Sequence, residues 1–173
     1  MRFCHCKRRL RLLFTFIGFS FFSTLAGAEP PKMLLLQTYQ QNQAVEGWWM
    51  SEKLDGVRAQ WNGKALISRG GHIIQAPSWF TKALPSFELD GELWTKRQDF
   101  ENVVSIVRQQ QPDDRWHAVS YQVFEVPHQP GGLMDRLAVL KAYLAEHPLS
   151  HVHIIPQTRI VSRAQLKSEF ERL

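Results

Sequence analysis

Beyond residue 28 the sequence contains no cysteine. Cys4 and Cys6 both precede that point, so no disulfide framework can staple the rest of the chain, and no thiol there can serve as nucleophile or metal ligand. Acidic residues are missing from the same opening stretch. The first is Glu29, and it follows five basic residues, Arg2, Lys7, Arg8, Arg9 and Arg11. Taking those five from the 21 Lys and Arg leaves as many basic residues as the 16 Asp and Glu. The net charge of +5 therefore belongs to the opening segment. From Glu29 onward the chain is neutral and lacks the cationic excess of a surface that grips duplex phosphates. A membrane-spanning run is also wanting, because the apolar stretch Leu12 to Leu25 falls short of the roughly 20 residues a bilayer requires. Nothing repeats, no stretch is of low complexity, and 44% apolar with 21% charged residues excludes wholesale disorder. A length of 173 residues allows one domain, or one domain and a tail.

The opening segment has the layout of a secretory signal peptide over residues 1–28. A basic region precedes the apolar run, and Ala26-Gly27-Ala28 supplies the small-x-small pattern of a signal-peptidase site. The alternative is an uncleaved anchor. Cys4 and Cys6 lie before the apolar run, where a lipoprotein cysteine would follow it. Export to a periplasm, with no stable membrane anchoring after cleavage, is the expectation.

Residues 29–173 alternate strand and helix patterns. Val57-Arg58-Ala59-Gln60-Trp61 alternates as a half-buried strand, and Asn62-Gly63 predicts a type I′ hairpin turn before Ala65–Ser68. Arg69-Gly70-Gly71-His72 makes a second turn before Ile73-Ile74. Strands are predicted over Phe87–Trp94, Ala118–Val126 and Val152–Val161, and helices over Phe100–Val107 and Asp135–His147. In the last of these helices Leu137, Leu140, Ala142, Tyr143 and Leu144 are the candidate core positions. Ser162-x-x-Gln165 reads as a capping box that opens a final helix, Arg163 to Leu173, whose Ala164, Leu166, Phe170 and Leu173 need a partner surface. The mixture predicts an α+β fold with antiparallel sheets.

The most informative segment is Glu52-Lys53-Leu54-Asp55-Gly56-Val57-Arg58, a K-x-D-G-x-R pattern just before a strand. A lysine amine attacks phosphorus only when neutral, and nearby positive charge or desolvation lowers its pKa toward that state. Arg58 can supply such a field and hold a phosphate or ribose, with Asp55-Gly56 as the turn between. A surface Lys-Asp turn is the plainer alternative. Further along come Ser68-Arg69-Gly70-Gly71, Leu89-Asp90-Gly91-Glu92-Leu93 and Tyr121-Gln122-Val123-Phe124-Glu125. In this order the four segments resemble the motifs of the covalent nucleotidyltransferase superfamily, which includes ATP-dependent DNA ligases, RNA ligases and mRNA capping enzymes. With the signal peptide and the short length, the chain is similar to the small periplasm-directed bacterial ATP-dependent DNA ligases, over about residues 33 to 173.

The resemblance implies a nucleotidyltransferase (adenylation) domain with flanking helices, and a role for each matched position. Lys53 would become the lysyl-AMP phosphoramidate. Arg58 would lie beside the nucleotide, Arg69 would contact ribose or phosphate, Glu92 would bond ribose or sit near the metal, and Phe124 would stack on adenine. Glu125 stands where the superfamily more often has Asp, which keeps the charge on a longer arm. ATP and Mg²⁺ are the implied cofactors, nicked double-stranded DNA the implied partner, and a monomer the expected state. The superfamily also carries a metal-binding E-G motif and a K-x-K motif, neither of which follows Glu125. The expectation is an adenylation domain incomplete at its C-terminus, without the oligonucleotide-binding-fold domain, and unable to seal nicks by itself.

Several residues have other readings. Phe124 by type alone is equally a core residue, Arg69 a solvated turn, and Asp90 with Glu92 resembles a pair of glycosidase carboxylates. His151 and His153 share a strand face but have no third ligand nearby in sequence. Trp48, Trp49, Trp61 and Trp94 are expected in the core or against the sheet rather than on a sugar-binding platform. Competing functions are an RNA ligase or capping-type enzyme, a non-enzymatic β-rich binding module, and a remnant without activity.

Overall fold

Alternation of apolar and polar residues builds the central sheet. A computed structural model describes residues 43–172; the expected signal peptide and Leu173 lie outside the described residues. In chain order the elements are β1 (Trp49–Met50), β2 (Val57–Trp61), β3 (Leu66–Ser68), β4 (Ile73–Ile74), α1 (Ser78–Thr81), β5 (Leu89–Trp94), α2 (Phe100–Val107), a 3₁₀ turn (Asp114–Ala118), β6 (Ser120–Glu125), α3 (Leu133–Glu146), β7 (Val152–Ile154), β8 (Thr158–Arg159) and α4 (Arg163–Arg172). The architecture is α+β, as the sequence predicts.

Six strands form one sheet in the order β4-β3-β2-β5-β6-β7, and β1 pairs with β8 in a separate two-stranded sheet. On β2, β5 and β6 one face carries Ala59, Trp61, Leu89, Leu93, Tyr121 and Val123, all buried. Against this core pack Val103, Ile106 and Val107 of α2, Leu137 and Leu140 of α3, and the wholly buried Phe80 and Trp116. Two of the buried polar tips find partners: Trp61 Nε1 donates to the Pro85 carbonyl at 2.7 Å, and the Tyr121 hydroxyl meets the carbonyls of Ala59 and Leu89. The indole N–H of Trp116 is buried without a partner.

Four expectations need correction. The Asn62-Gly63 turn is a four-residue connection, since Trp61 pairs with Leu66. Only Gly63 has positive φ there, while Asn62 acts through its side chain, Oδ1 accepting the amides of Lys64 and Ala65. The sheet is not wholly antiparallel, because β7 joins β6 in parallel after the α3 crossover. Val152–Val161 is not one strand. Pro156, which has no amide to donate, separates β7 in the large sheet from β8 in the small one. Ala142 is exposed on α3 rather than in the core, as are Ala164 and Phe170 on α4. Leu166 is the α4 residue that finds a core, packing with Val45, Ile160 and Met50.

The caps follow the sequence closely. Ser162 Oγ accepts the Gln165 amide at 3.2 Å, and Gln165 Oε1 accepts the Val161 amide at 2.8 Å. The reciprocal capping arrangement is therefore present, with its return bond one residue earlier than the box predicts.

Candidate active site

The second face of β5 carries charge. Asp90 and Glu92 alternate with the buried Leu89, Gly91 and Leu93, so both carboxylates leave the core on one side of the strand. On the neighbouring strand Arg58 stands directly opposite Glu92. Its guanidinium reaches diagonally to Asp90, Nε donating to Oδ1 at 3.1 Å and Nη2 to Oδ2 at 2.7 Å. Asp90 is 3% exposed, so the pair lies largely out of water. A fork of two parallel bonds is the geometry only arginine offers a carboxylate.

Gly56 explains its own place in the K-x-D-G-x-R segment. A Cβ there would collide with the Leu93 carbonyl and come within 2.9 Å of Glu92 Cγ. Without one, the chain comes close enough for the Gly56 amide to donate to Glu92 Oε1 at 3.2 Å. Lys53, three residues earlier in the extended stretch between β1 and β2, is thereby carried past the carboxyl of Glu92.

Burial pushes the Glu92 carboxyl up to about 7, against the opposing pull of the Gly56 amide, Lys53 and Arg58. The folded chain thus holds a proton that the unfolded chain releases near its ordinary value of 4.5. Stability from this group is complete below that ordinary value and is lost as the pH rises through about 7. In melting experiments at about pH 5 and about pH 8, Glu92→Gln should show a smaller loss on the alkaline side than the unmodified chain. An equal loss in both would refute this account of Glu92.

Phe124 lies at a break in the sheet. Asp90 pairs with Glu125 and Gly91 with Val123, so Phe124 is the extra residue of a β-bulge on β6. Burial still alternates along β6, so Phe124 keeps the face of Gln122, the partner of Glu92, and the bulge shifts its place along that face. Gly91 permits it, because a Cβ at that position would meet the Gln122 carbonyl at 2.6 Å. The Arg58 guanidinium lies 5.2 Å from the centre of the Phe124 ring, so one arginine braces both the aromatic and Asp90.

Lys53, Arg58, Arg69, Glu92 and Phe124, the five residues singled out from the sequence, line a single cavity of about 810 Å³. Arg69 arrives from the β3–β4 turn, closed by the Gly71 amide on the Ser68 carbonyl at 2.9 Å. The volume suits a nucleotide-sized ligand. The wall offers an aromatic face, guanidinium groups, a lysine amine and a carboxyl. Leu133 and Arg136 of α3, Ile155, Gln157 and Trp49 are among the other lining residues and were not anticipated. Arg136 is the most consequential, since its Nε and Nη2 hold the buried Glu125 at 2.7 and 2.5 Å. No local signal marks it, because the contact joins a strand end to a helix across a loop. Glu52 pairs with Arg97 at 2.8 Å beside the lysine.

The remaining candidates separate. His151 precedes β7 and holds the Phe80 carbonyl at 2.8 Å, while His153 is exposed. Among the described residues no group of three or more His, Cys, Asp or Glu could hold a metal ion by itself. Trp61 is buried and Trp94 half-buried, but Trp48 and Trp49 are 50% and 40% exposed. Trp48 precedes and Trp49 opens a strand two residues long in a two-stranded sheet, which cannot cover both faces.

No family model matches the chain. A DNA ligase of Haemophilus influenzae is 42% identical over 146 residues, which is 84% of this chain and 54% of that protein. Among solved structures, one of a Lig E DNA ligase, described as binding DNA with a minimal scaffold, is 34% identical with a TM-score of 0.70; the match covers 76% of this chain and 52% of that one. The Chlorella virus DNA ligase-adenylate, at 21% identity and a TM-score of 0.63 over 78% of this chain and 52% of its own, supports the fold alone. The chain is thus similar in sequence to DNA ligases, has the α+β fold of their nucleotidyltransferase domain, and spans about half the length of these relatives.

Proposed function

We propose that this chain is the adenylating part of an ATP-dependent DNA ligase. The observation that carries the reading is the convergence of Lys53, Arg58, Arg69, Glu92 and Phe124, scattered over 72 positions of sequence, on one cavity. Adenine would stack on Phe124, contributing on the order of 1–3 kcal/mol. Arg69 and Arg58 would face ribose and phosphates. The Lys53 amine, once neutral, attacks the α-phosphorus of ATP. The new N–P bond forms as the bond to the bridging oxygen breaks, and pyrophosphate leaves with the electron pair.

Magnesium fits as an ion carried by the phosphates rather than caged by protein, since it takes one or two carboxylates and keeps several waters. Glu92 would hold it; Glu52 and Glu125 on the same wall are already paired with Arg97 and Arg136. The raised carboxyl of Glu92 is a group that a cation would return to its charged form. Bound there, the ion would neutralise phosphate charge.

For a protein of the relatives' full length the reading continues. AMP passes from Lys53 to the 5′-phosphate of a nick in duplex DNA, and the adjacent 3′-hydroxyl displaces it. Action as a monomer and export to a periplasm are parts of the same reading, the latter resting on residues 1–28. A glycan platform on Trp48 and Trp49 leaves Lys53, Arg69 and Glu92 without a purpose.

Incubation with α-labelled ATP and Mg²⁺, followed by a denaturing gel and peptide mapping, tests the proposal. The expected result is an acid-labile label on the peptide containing Lys53, with much less from α-labelled GTP. Label elsewhere, or none, would count against the adenylation reading, and equal labelling from GTP would favour a capping-type enzyme.

A further inference from the structure

Glu125 and Arg136 form a buried ion pair for which the adenylation chemistry has no direct use. Side-chain exposure is 7% for Glu125 and 22% for Arg136. Glu125 immediately follows the bulged Phe124. Its Oε1 accepts the Val126 amide at 2.8 Å and Arg136 Nε at 2.7 Å, and its Oε2 accepts Arg136 Nη2 at 2.5 Å. The remaining arm of the guanidinium, Nη1, donates to the Gly131 carbonyl at 2.9 Å. One side chain of α3 therefore ties the end of β6 to the loop that leads into its own helix. That loop holds His128 at φ +63°, a conformation a non-glycine residue keeps only when its surroundings impose it.

Behind this pair lies a second cavity of about 400 Å³, lined by Gln60, Asp90, Pro127, His128 and Gln129 together with Glu125 and Arg136. The nucleotide-sized cavity shares the same two residues. The ion pair thus lines both spaces. Val123 and Val126 on either side are wholly buried in the core, whereas Phe124 and Glu125 between them border the cavities, where the charge-assisted bonds of Arg136 hold Glu125.

We propose that Arg136 is a positioning residue that fixes the stacking face of Phe124 through the buried carboxylate of Glu125. The inference rests on the adenylation reading for the role of Phe124 as a base platform. It also gives a physical reason for Glu at position 125, since the longer arm reaches across to α3. A lysine at 136 would keep the charge but could not bridge both carboxylate oxygens and the Gly131 carbonyl together.

Arg136→Lys in the full chain tests this in two ways. Hydrogen exchange of the Val123–Val126 amides should quicken by roughly tenfold or more while the amides of α2 remain as slow as before. The ATP concentration for half-maximal labelling of Lys53 should rise by roughly tenfold, with the plateau reduced by less than about twofold. Arg115→Gln removes an exposed pair with Asp113 away from the cavity and should change neither quantity. Unchanged exchange at Val123–Val126 would overturn the proposal, as would faster exchange throughout the chain, which marks a general loss of stability. A plateau that falls while half-saturation stays fixed would overturn it too. If the unmodified chain takes no label, the adenylation reading fails, and local exchange still decides whether Arg136 holds the bulge.

Discussion

Lys53→Arg is expected to abolish covalent uptake of AMP. Lysine and arginine carry the same charge, but only the amine can lose its proton near neutrality and offer a lone pair to phosphorus. Loss of a nucleophile in an otherwise intact site typically costs several orders of magnitude, so labelling should fall by more than roughly 1000-fold. The fold should be indifferent. Lys53 is exposed, in an extended segment outside any sheet ladder, and such surface changes usually alter stability by less than about 0.5 kcal/mol. A melting curve superposable on that of the unmodified chain, with labelling lost, is the complete expected result. Label retained at a similar rate would remove Lys53 from the role of nucleophile and the adenylation reading with it.

Asp90→Ala should have the largest effect on stability. The change deletes a buried carboxylate that takes two bonds from Arg58 and removes the bidentate counter-charge of the guanidinium on a half-buried strand face. Breaking a buried pair from one side costs about 3–5 kcal/mol, because the charge left behind has already given up its hydration. For a domain of this size that corresponds to a fall of roughly 10–20 °C in melting temperature. A second consequence reaches the cavity, where Arg58 loses the fork that holds its guanidinium beside Phe124. At temperatures where the variant is still folded, ATP should therefore be held more weakly. Asp90→Asn, which keeps one acceptor and the shape, should lie between the two. A melting temperature within about 2 °C of the unmodified chain would show that the pair contributes little net stability.

The effects divide by depth. Lys53 is at the solvent edge, where chemistry can change without disturbing packing, while Asp90 is rooted in the sheet, where charge removal disturbs both. Glu92 stands between them on the same strand face, close enough to solvent to titrate and buried enough to do so near neutrality.

How much of this was legible beforehand follows from what is local. The helix Phe100–Val107 and the strand Val57–Trp61 have their predicted bounds, because hydrophobic period and burial coincide along each. The five candidate residues were named because their segments resemble the nucleotidyltransferase motifs in order, while their meeting in one cavity was not visible in sequence. Gly56 was expected as part of a turn; that its missing Cβ admits the Leu93 carbonyl and Glu92 appears only in the folded chain. The parallel β7, the split at Pro156, the exposure of Trp48 and Trp49 and the whole role of Arg136 were not legible. Each depends on which segment arrives from far away in the chain, and local pattern holds no record of that.

Sequence by itself determined the class of fold and the neutrality of residues 29–173, and through its motifs it nominated the lysine and its four companions. Tertiary structure decided how they face one another. Pairing β5 with β6 out of step at Gly91 set Glu125, rather than Phe124, opposite Asp90, and packing α3 over the end of β6 gave Glu125 the partner that holds it there. The physical reason is that side-chain type is written at a single position, whereas register and helix packing minimise the free energy of the whole chain at once.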